Sequence, residues 1–207
     1  MELKEDTVPI KLSPIQNPNT KGWEYTVEIA KENKYDELCD VKGVTGHYPA
    51  VIALDLYDLQ DKIITPLKTL TKLAYARGSV ITFSMHMSNP ITHGPVKVDE
   101  DHKGVEHTLR RHLPGGRNND VWRHRLDGIA DIAHSLRDHH ERLIPIIFRP
   151  FHENNGKWFF WGQGNKAHNT PDDFIKIWWY TVDYLRNTKD VHNFLYAYSP
   201  KRWVHRS

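Results

Sequence analysis

The stretch IPIIFRPFHENNGKWFFWG, residues 144–162, runs from an apolar segment through an Arg-Pro step to a His-Glu pair and a cluster of aromatic rings. Residues 144–149 show little of the alternation that a strand with one wet face requires. They read as a strand covered on both faces, the kind that parallel sheets contain. Pro150 enforces an extended or turning backbone, so His152 and Glu153 open a long loop just beyond the strand's carboxyl end. The same near-continuous apolar pattern recurs in AVIALDLY (50–57), SVITFSMH (79–86) and NFLYAYS (193–199). Longer segments of helical period separate these runs, which is the signature of βα units and an α/β fold with parallel strands.

The helices are marked by their caps and stripes. Thr65-Pro66 and Thr170-Pro171 each place an N-cap oxygen before a proline whose missing N–H costs nothing at the first helical position, so a helix is predicted to begin at each. The second adds Asp172 and Asp173 at the positive end of the dipole, then Phe174, Trp178, Thr181 and Leu185 at spacings of three and four. A third helix is predicted within DVWRHRLDGIADIAHSLRDHHER (120–142), with Trp122, Leu126, Ile129, Ala133 and Leu136 on its apolar stripe and Arg123, Asp127, Asp131 and Arg137 outside. Gly78 fits a helix C′ position, while PGGRNN (114–119) and GQGNKAHN (162–169) read as loops. Before residue 40 the reading is open: WEYTVEIA (23–30) suits a strand or a helix start, and SPIQNPN (13–19) suits an irregular arm. Residues 1–40 are therefore taken as an N-terminal arm and 41–207 as the α/β unit.

A chain of 207 residues is one ordinary domain, near the lower limit of about 200 to 250 residues for a complete α/β barrel. Lys plus Arg exceed Asp plus Glu by 28 to 26, with no basic stripe interleaved with aromatics, so nucleic acid is not an expected partner. No apolar run is long enough to predict a membrane span. The single Cys39 excludes an internal disulfide framework, and the start MELKEDTVPIKLSP lacks the apolar region of a secretory signal, so compartment is unreadable from the chain itself. Seven Trp, nine Tyr and seven Phe fit either a heavy core or a surface that stacks on flat sugar faces.

Parallel α/β sheets bind ligands beyond the carboxyl ends of their strands, where Glu153 lies. The rings of KWFFWG (157–162) would desolvate its carboxyl group and raise its pKa, whereas a hydrogen bond from Arg149 or His152 would oppose that shift. Both outcomes stay open, as does a purely structural one in which an Arg149–Glu153 ion pair ties down the strand end and Trp158, Phe159, Phe160 and Trp161 are core. Asp55, His86, Asn89, Tyr198 and Ser199 stand at other strand ends on the same rim, and polar groups converging with indoles describe a ligand site. Neither HExxH nor C-x-x-C spacing occurs, and His139-His140 is placed on the outer face of a helix, so no metal is expected. GxSxG is absent, which leaves a Ser nucleophile unsupported.

FRPFHENNGKWFFWG, together with VTGHYPAVIALDLYDL, ITFSMHMSNP and TVDYLRNTKDVHNFLYAYSP, resembles glycoside hydrolase family 26, most closely its β-mannanases, with the blocks in family order across residues 40–200. The resemblance implies a partial TIM-type (β/α)8 barrel, of which 41–207 would be the N-terminal part, and a retaining mechanism on β-1,4-mannosidic bonds of mannan, galactomannan or glucomannan. It implies no cofactor, a mannan polysaccharide or manno-oligosaccharide as partner, and an extracellular or periplasmic location. By its place in RPFHE, Glu153 would be the acid/base. His152 and Trp158 would bind sugar on either side of the cleavage point, and His86 and Asn89 match the strand-end HxxNP element that also touches sugar. Trp161, Tyr198 and Asp55 complete the expected sugar-binding set, and Met85 stands where the family has a Trp.

Retention needs two carboxyl groups about 5 to 5.5 Å apart, one to protonate the leaving oxygen and one to attack the anomeric carbon. The resemblance implies a nucleophilic Glu on a later strand, whereas only KRWVHRS follows YAYSP, with no Asp or Glu in it. The chain therefore reads as incomplete at its C-terminal end. Asp55, if it faced Glu153 across about 6.5 to 9.5 Å, would suit inversion instead. Two rivals are an inactive or mannan-binding fragment and a family enzyme acting on β-1,3-xylan or mixed-linkage β-glucan.

Overall fold

The computed structural model describes residues 10–16, 23–29, 40–57, 59, 61–94, 96–98 and 104–201. Strands β1 (Ile10–Gln16) and β2 (Trp23–Ile29) pair antiparallel as a two-stranded ribbon. WEYTVEI is thus a strand. SPIQ, read from sequence as irregular, belongs to β1, with Pro14 opposite Tyr25. A two-stranded ribbon turns every second N–H away from its partner, which is where a proline is tolerated.

Helix α1 (Asp40–Thr45) leads into a sheet of four parallel strands, ordered β3 (Val51–Asp55), β4 (Val80–Ser84), β5 (Ile146–Arg149) and β6 (Phe194–Tyr196). Parallel neighbours need a crossover, and each has one. Helix α2 (Asp61–Ala76) joins β3 to β4, α3 (Thr108–His112) and α4 (Asn119–Ser135) join β4 to β5, and α5 (Pro171–Asp183) with a π-helical turn over Tyr184–Thr188 joins β5 to β6. Sequential parallel strands alternating with helices give the order of a TIM-type barrel, in partial form among the described residues. Each strand is shorter than its apolar run, so Tyr198 and Ser199 lie past the end of β6.

One core cluster joins the sheet with α2, α4 and α5. Ile81, Phe83, Ile146 and Phe148 are buried, and the predicted α4 stripe of Trp122, Leu126, Ile129, Ala133 and Leu136 is buried against them. Each large side chain so removed from water contributes about 1.5 to 3 kcal/mol. At α5 the predicted N-cap is present as a reciprocal pair: Thr170 Oγ1 accepts from the Asp173 N–H at 3.1 Å, and Asp173 Oδ2 accepts from the Thr170 N–H at 3.0 Å.

Two helix limits differ from the sequence reading. Helix α2 starts at Asp61, which leaves Pro66 inside it rather than at its first position. The buried stripe explains this, because Ile64 precedes the proline and packs in line with Leu67, Thr71 and Ala74. Gly78, with φ of 89°, closes α2 as predicted. Helix α4 ends at Ser135, so His139 and His140 sit exposed in a turn instead of on a helix. Asp138 Oδ1 makes that turn by accepting from the N–H groups of His140 and Arg142, both at 2.9 Å.

Candidate active site

The carboxyl ends of β3, β4 and β5 bring Asp55, His86, His152 and Glu153 onto one rim. Asp55, the last residue of β3, is saturated. Its Oδ1 accepts the N–H groups of Tyr57 and His86, both at 2.8 Å, and its Oδ2 accepts Ser84 Oγ–H and His86 Nδ1–H, both at 2.7 Å. Burial alone would push this carboxyl group up, but the hydrogen bonds from His86 and Ser84 outweigh burial and hold it below the usual range. An acid so engaged has no lone pair aimed at a sugar or a water, so it cannot serve as a second catalytic carboxylate.

His86 Nε2 lies 2.9 Å from His152 Nε2, which extends the contact from β4 to the loop after β5. His152 is buried, and its ring meets the edges of Phe159 and Trp161 at centroid distances of 5.0 and 5.6 Å. Burial is the chief cause that lowers its pKa to about 4, so it is neutral at pH 7. Both nitrogens of His86 are occupied and His152 Nδ1 is closed off from solvent, so neither imidazole offers a free polar edge to a hydroxyl.

Glu153 has a left-handed backbone, with φ of 54°, and so does Phe151, with φ of 53°. Non-glycine residues persist there only when their surroundings hold them. Here the Trp161 indole N–H donates to the His152 carbonyl at 2.8 Å, and the Glu153 N–H donates to the Ser199 carbonyl at 2.7 Å. Asn155 completes the clamp by donating to and accepting from the Lys201 backbone, at 2.9 and 2.7 Å. The Glu153 side chain is half-buried, and its Oε2 accepts the Trp158 indole N–H at 2.9 Å. Gly156 makes this possible, since a Cβ there would lie 2.4 Å from the Trp158 ring. Lys201 Nζ sits 4.3 Å from the centroid of that ring.

The other expected site residues are placed differently from one another. Trp161 is fully buried and has no face to offer a sugar, a core role of the kind weighed against stacking. Asn89 is also buried, its Oδ1 accepting from the N–H groups of Ile91 and Thr92 at 2.9 and 3.4 Å, so it shapes the turn after β4. Tyr198 is exposed and lines an open hollow of about 420 Å³ with Asn154, Gln163, Phe174, Trp178 and Trp179. Arg149 turns to Thr82 and Ser199, at 3.0 and 3.3 Å, instead of to Glu153. Sequence reasoning missed the roles of Ser199 and Lys201 backbone and of Asn155, for which no local signal exists. Hydrogen bonding from Trp158 to Glu153 was missed as well, although five residues separate a rim acid from an indole donor.

The model of glycosyl hydrolase family 26 matches residues 12–206. A mannan endo-1,4-beta-mannosidase of Bifidobacterium adolescentis is 39% identical over 173 residues, spanning 78% of this chain and 16% of that protein. Among solved structures, a modular endo-beta-1,4-mannanase from Cellulomonas fimi superposes with a TM-score of 0.68 at 39% identity, covering 78% of this chain and 37% of the other. GH26C from Muricauda sp. MAR_2010_75 gives a TM-score of 0.73 at 34% identity, covering 78% and 46%. The chain thus spans less than half the length of each.

Proposed function

The chain belongs to glycosyl hydrolase family 26, and on that footing we propose that it carries the acid/base half of a site that cleaves β-1,4-mannosidic bonds with retention. The observation that carries the proposal is Glu153, held at a strand-end rim by Trp158, Trp161 and Ser199 with its side chain still half open to solvent. A carboxyl group in that setting can protonate the departing glycosidic oxygen and later deprotonate the incoming water. Trp158 both donates to this carboxyl group and flanks it with an aromatic face, which suits the apolar side of a pyranose ring. Mannan, galactomannan or glucomannan is the substrate class, and polymers of that size favour an extracellular or periplasmic location.

Retention requires a second carboxylate on the opposite side of the anomeric carbon. Asp55 is excluded by its four accepted hydrogen bonds, and with it the inverting alternative, so the nucleophile is to come from outside the described residues. The same observation favours a second reading, in which the chain binds mannan without cleaving it.

Replacing the acid separates these readings. In a retaining site, Glu153→Ala should lower hydrolysis of mannan by at least 100-fold yet spare cleavage of an activated aryl β-mannobioside, whose leaving group needs no proton, and azide should restore turnover. Equal losses on both substrates would remove Glu153 from the acid/base role. Mannohexaose binding with no hydrolysis of either substrate by the parent would select the binding reading.

A further inference from the structure

We propose that Asp55 is a positioning residue: its acceptor-only carboxylate sets the proton order of the chain Asp55–His86–His152 and so holds the backbone that carries Glu153. The inference rests on the reading of Glu153 as the acid/base, but its physical content can be tested apart from it.

The carboxylate at 2.7 Å from His86 Nδ1 can only accept, so that nitrogen bears the proton. With that proton as the ring's single N–H, His86 has a bare Nε2, which can only accept from His152 Nε2–H across 2.9 Å. His152 is left with a bare Nδ1, which has no partner among the described residues. The reverse order would set two lone pairs against each other at Asp55 and bury an unpaired N–H at His152. The proton order thus fixes which edge of His152 faces His86, and His152 lies between two left-handed residues, Phe151 and Glu153. Two anchors on this tripeptide are main-chain bonds, from Trp161 and to Ser199, and the His86 contact anchors the side chain of its middle residue.

Asp55→Asn makes a sharp prediction because only one amide orientation fits. The backbone N–H groups of Tyr57 and His86 cannot become acceptors, so the Asn oxygen must stay with them and its NH2 must face Ser84 Oγ and His86 Nδ1. The amide would then donate to His86 Nδ1, and the whole order would invert.

The test is ¹⁵N-detected NMR of the imidazoles and indoles of the full chain at pH 7.5, for the parent, Asp55→Asn and Ser84→Ala. The parent should show His86 protonated on Nδ1 alone and His152 on Nε2 alone. Ser84→Ala, which loses a hydrogen bond to the same carboxylate, should keep that pattern. Asp55→Asn should swap both tautomers and shift the Trp158 indole N–H signal that reports the Glu153 contact. A parent His152 protonated on Nδ1 would overturn the proposal, and that result needs no variant to fold. An unchanged Trp158 signal in a folded Asp55→Asn would overturn the positioning role. Mannohexaose titrated into the same samples separates the two failures, because a parent that binds no sugar contradicts the proposed function while leaving the tautomer result standing.

Discussion

Trp158 does two things to Glu153 that different substitutions can separate. Trp158→Phe keeps an aromatic face but deletes the Nε1–H that Glu153 Oε2 accepts at 2.9 Å. A hydrogen bond is worth about 0.5 to 1.5 kcal/mol net, so turnover on mannan should fall roughly two- to tenfold while mannohexaose affinity falls less than in Trp158→Ala. Steady-state kinetics and calorimetric titration check this; equal losses of affinity in the two variants would assign the whole effect to the ring face. The position of Glu153 was readable because a strand-ending apolar run followed by Pro fixes where the rim begins. Its partners were not. Arg149 is four residues from Glu153 yet bonds Thr82, which lies 67 residues away across the β4–β5 register, and nothing local encodes that choice. Trp158 and Trp161 are the same residue type three positions apart. One faces Glu153 and the other is buried because the turn between Glu153 and Gly162 faces them differently, and sequence period does not describe such a turn.

That turn depends on close backbone approaches. Gly156→Ala would place a Cβ 2.4 Å from the Trp158 ring, so the ring must move or the turn must open. Overpacking of this kind costs about 1 to 3 kcal/mol, and the expected result is a lower thermal midpoint together with a shifted Trp158 indole signal. An unchanged midpoint and signal would mean that the ring has room to give. The α5 cap is a simpler element: Thr170→Ala removes the acceptor of the Asp173 N–H and should cost about 1 kcal/mol, or roughly 2 to 4 °C in midpoint for a chain of this size. Helix α5 was readable to its first residue because cap, proline and acidic turn agree. Helix α2 was not, since a Thr-Pro pair inside a helix resembles one that begins it, and burial of Ile64 decided the matter.

At the scale of the molecule, two buried histidines make stability depend on pH. His112 is pushed down to about 4 by burial, against the pull of the Thr108 carbonyl, and His152 is pushed to the same value. Their folded values lie below the usual 6.5, so both are neutral in folded and unfolded chains above that pH and stability is at its full value there. As pH falls from about 6.5 to 4, the unfolded chain takes up protons that the folded one refuses, and each site costs on the order of 3 kcal/mol by the end of that window. Thermal midpoints should therefore drop steeply between pH 6.5 and 4, and His112→Gln should flatten part of that drop even if its midpoint at pH 7 is lower. A parent midpoint that is flat across the window would contradict the neutral assignment of both rings. The parallel sheet and its crossovers were readable from four apolar runs, whereas the burial of these rings was not, because it depends on helices and loops converging from distant parts of the chain.

Release of reducing ends from soluble galactomannan, followed for the protein and its Glu153→Gln variant side by side, tests the central claim most directly. Whatever release the parent gives should vanish in the variant, while the variant still binds mannohexaose. A parent that releases reducing ends and a Glu153→Gln variant that releases them equally fast would contradict the account.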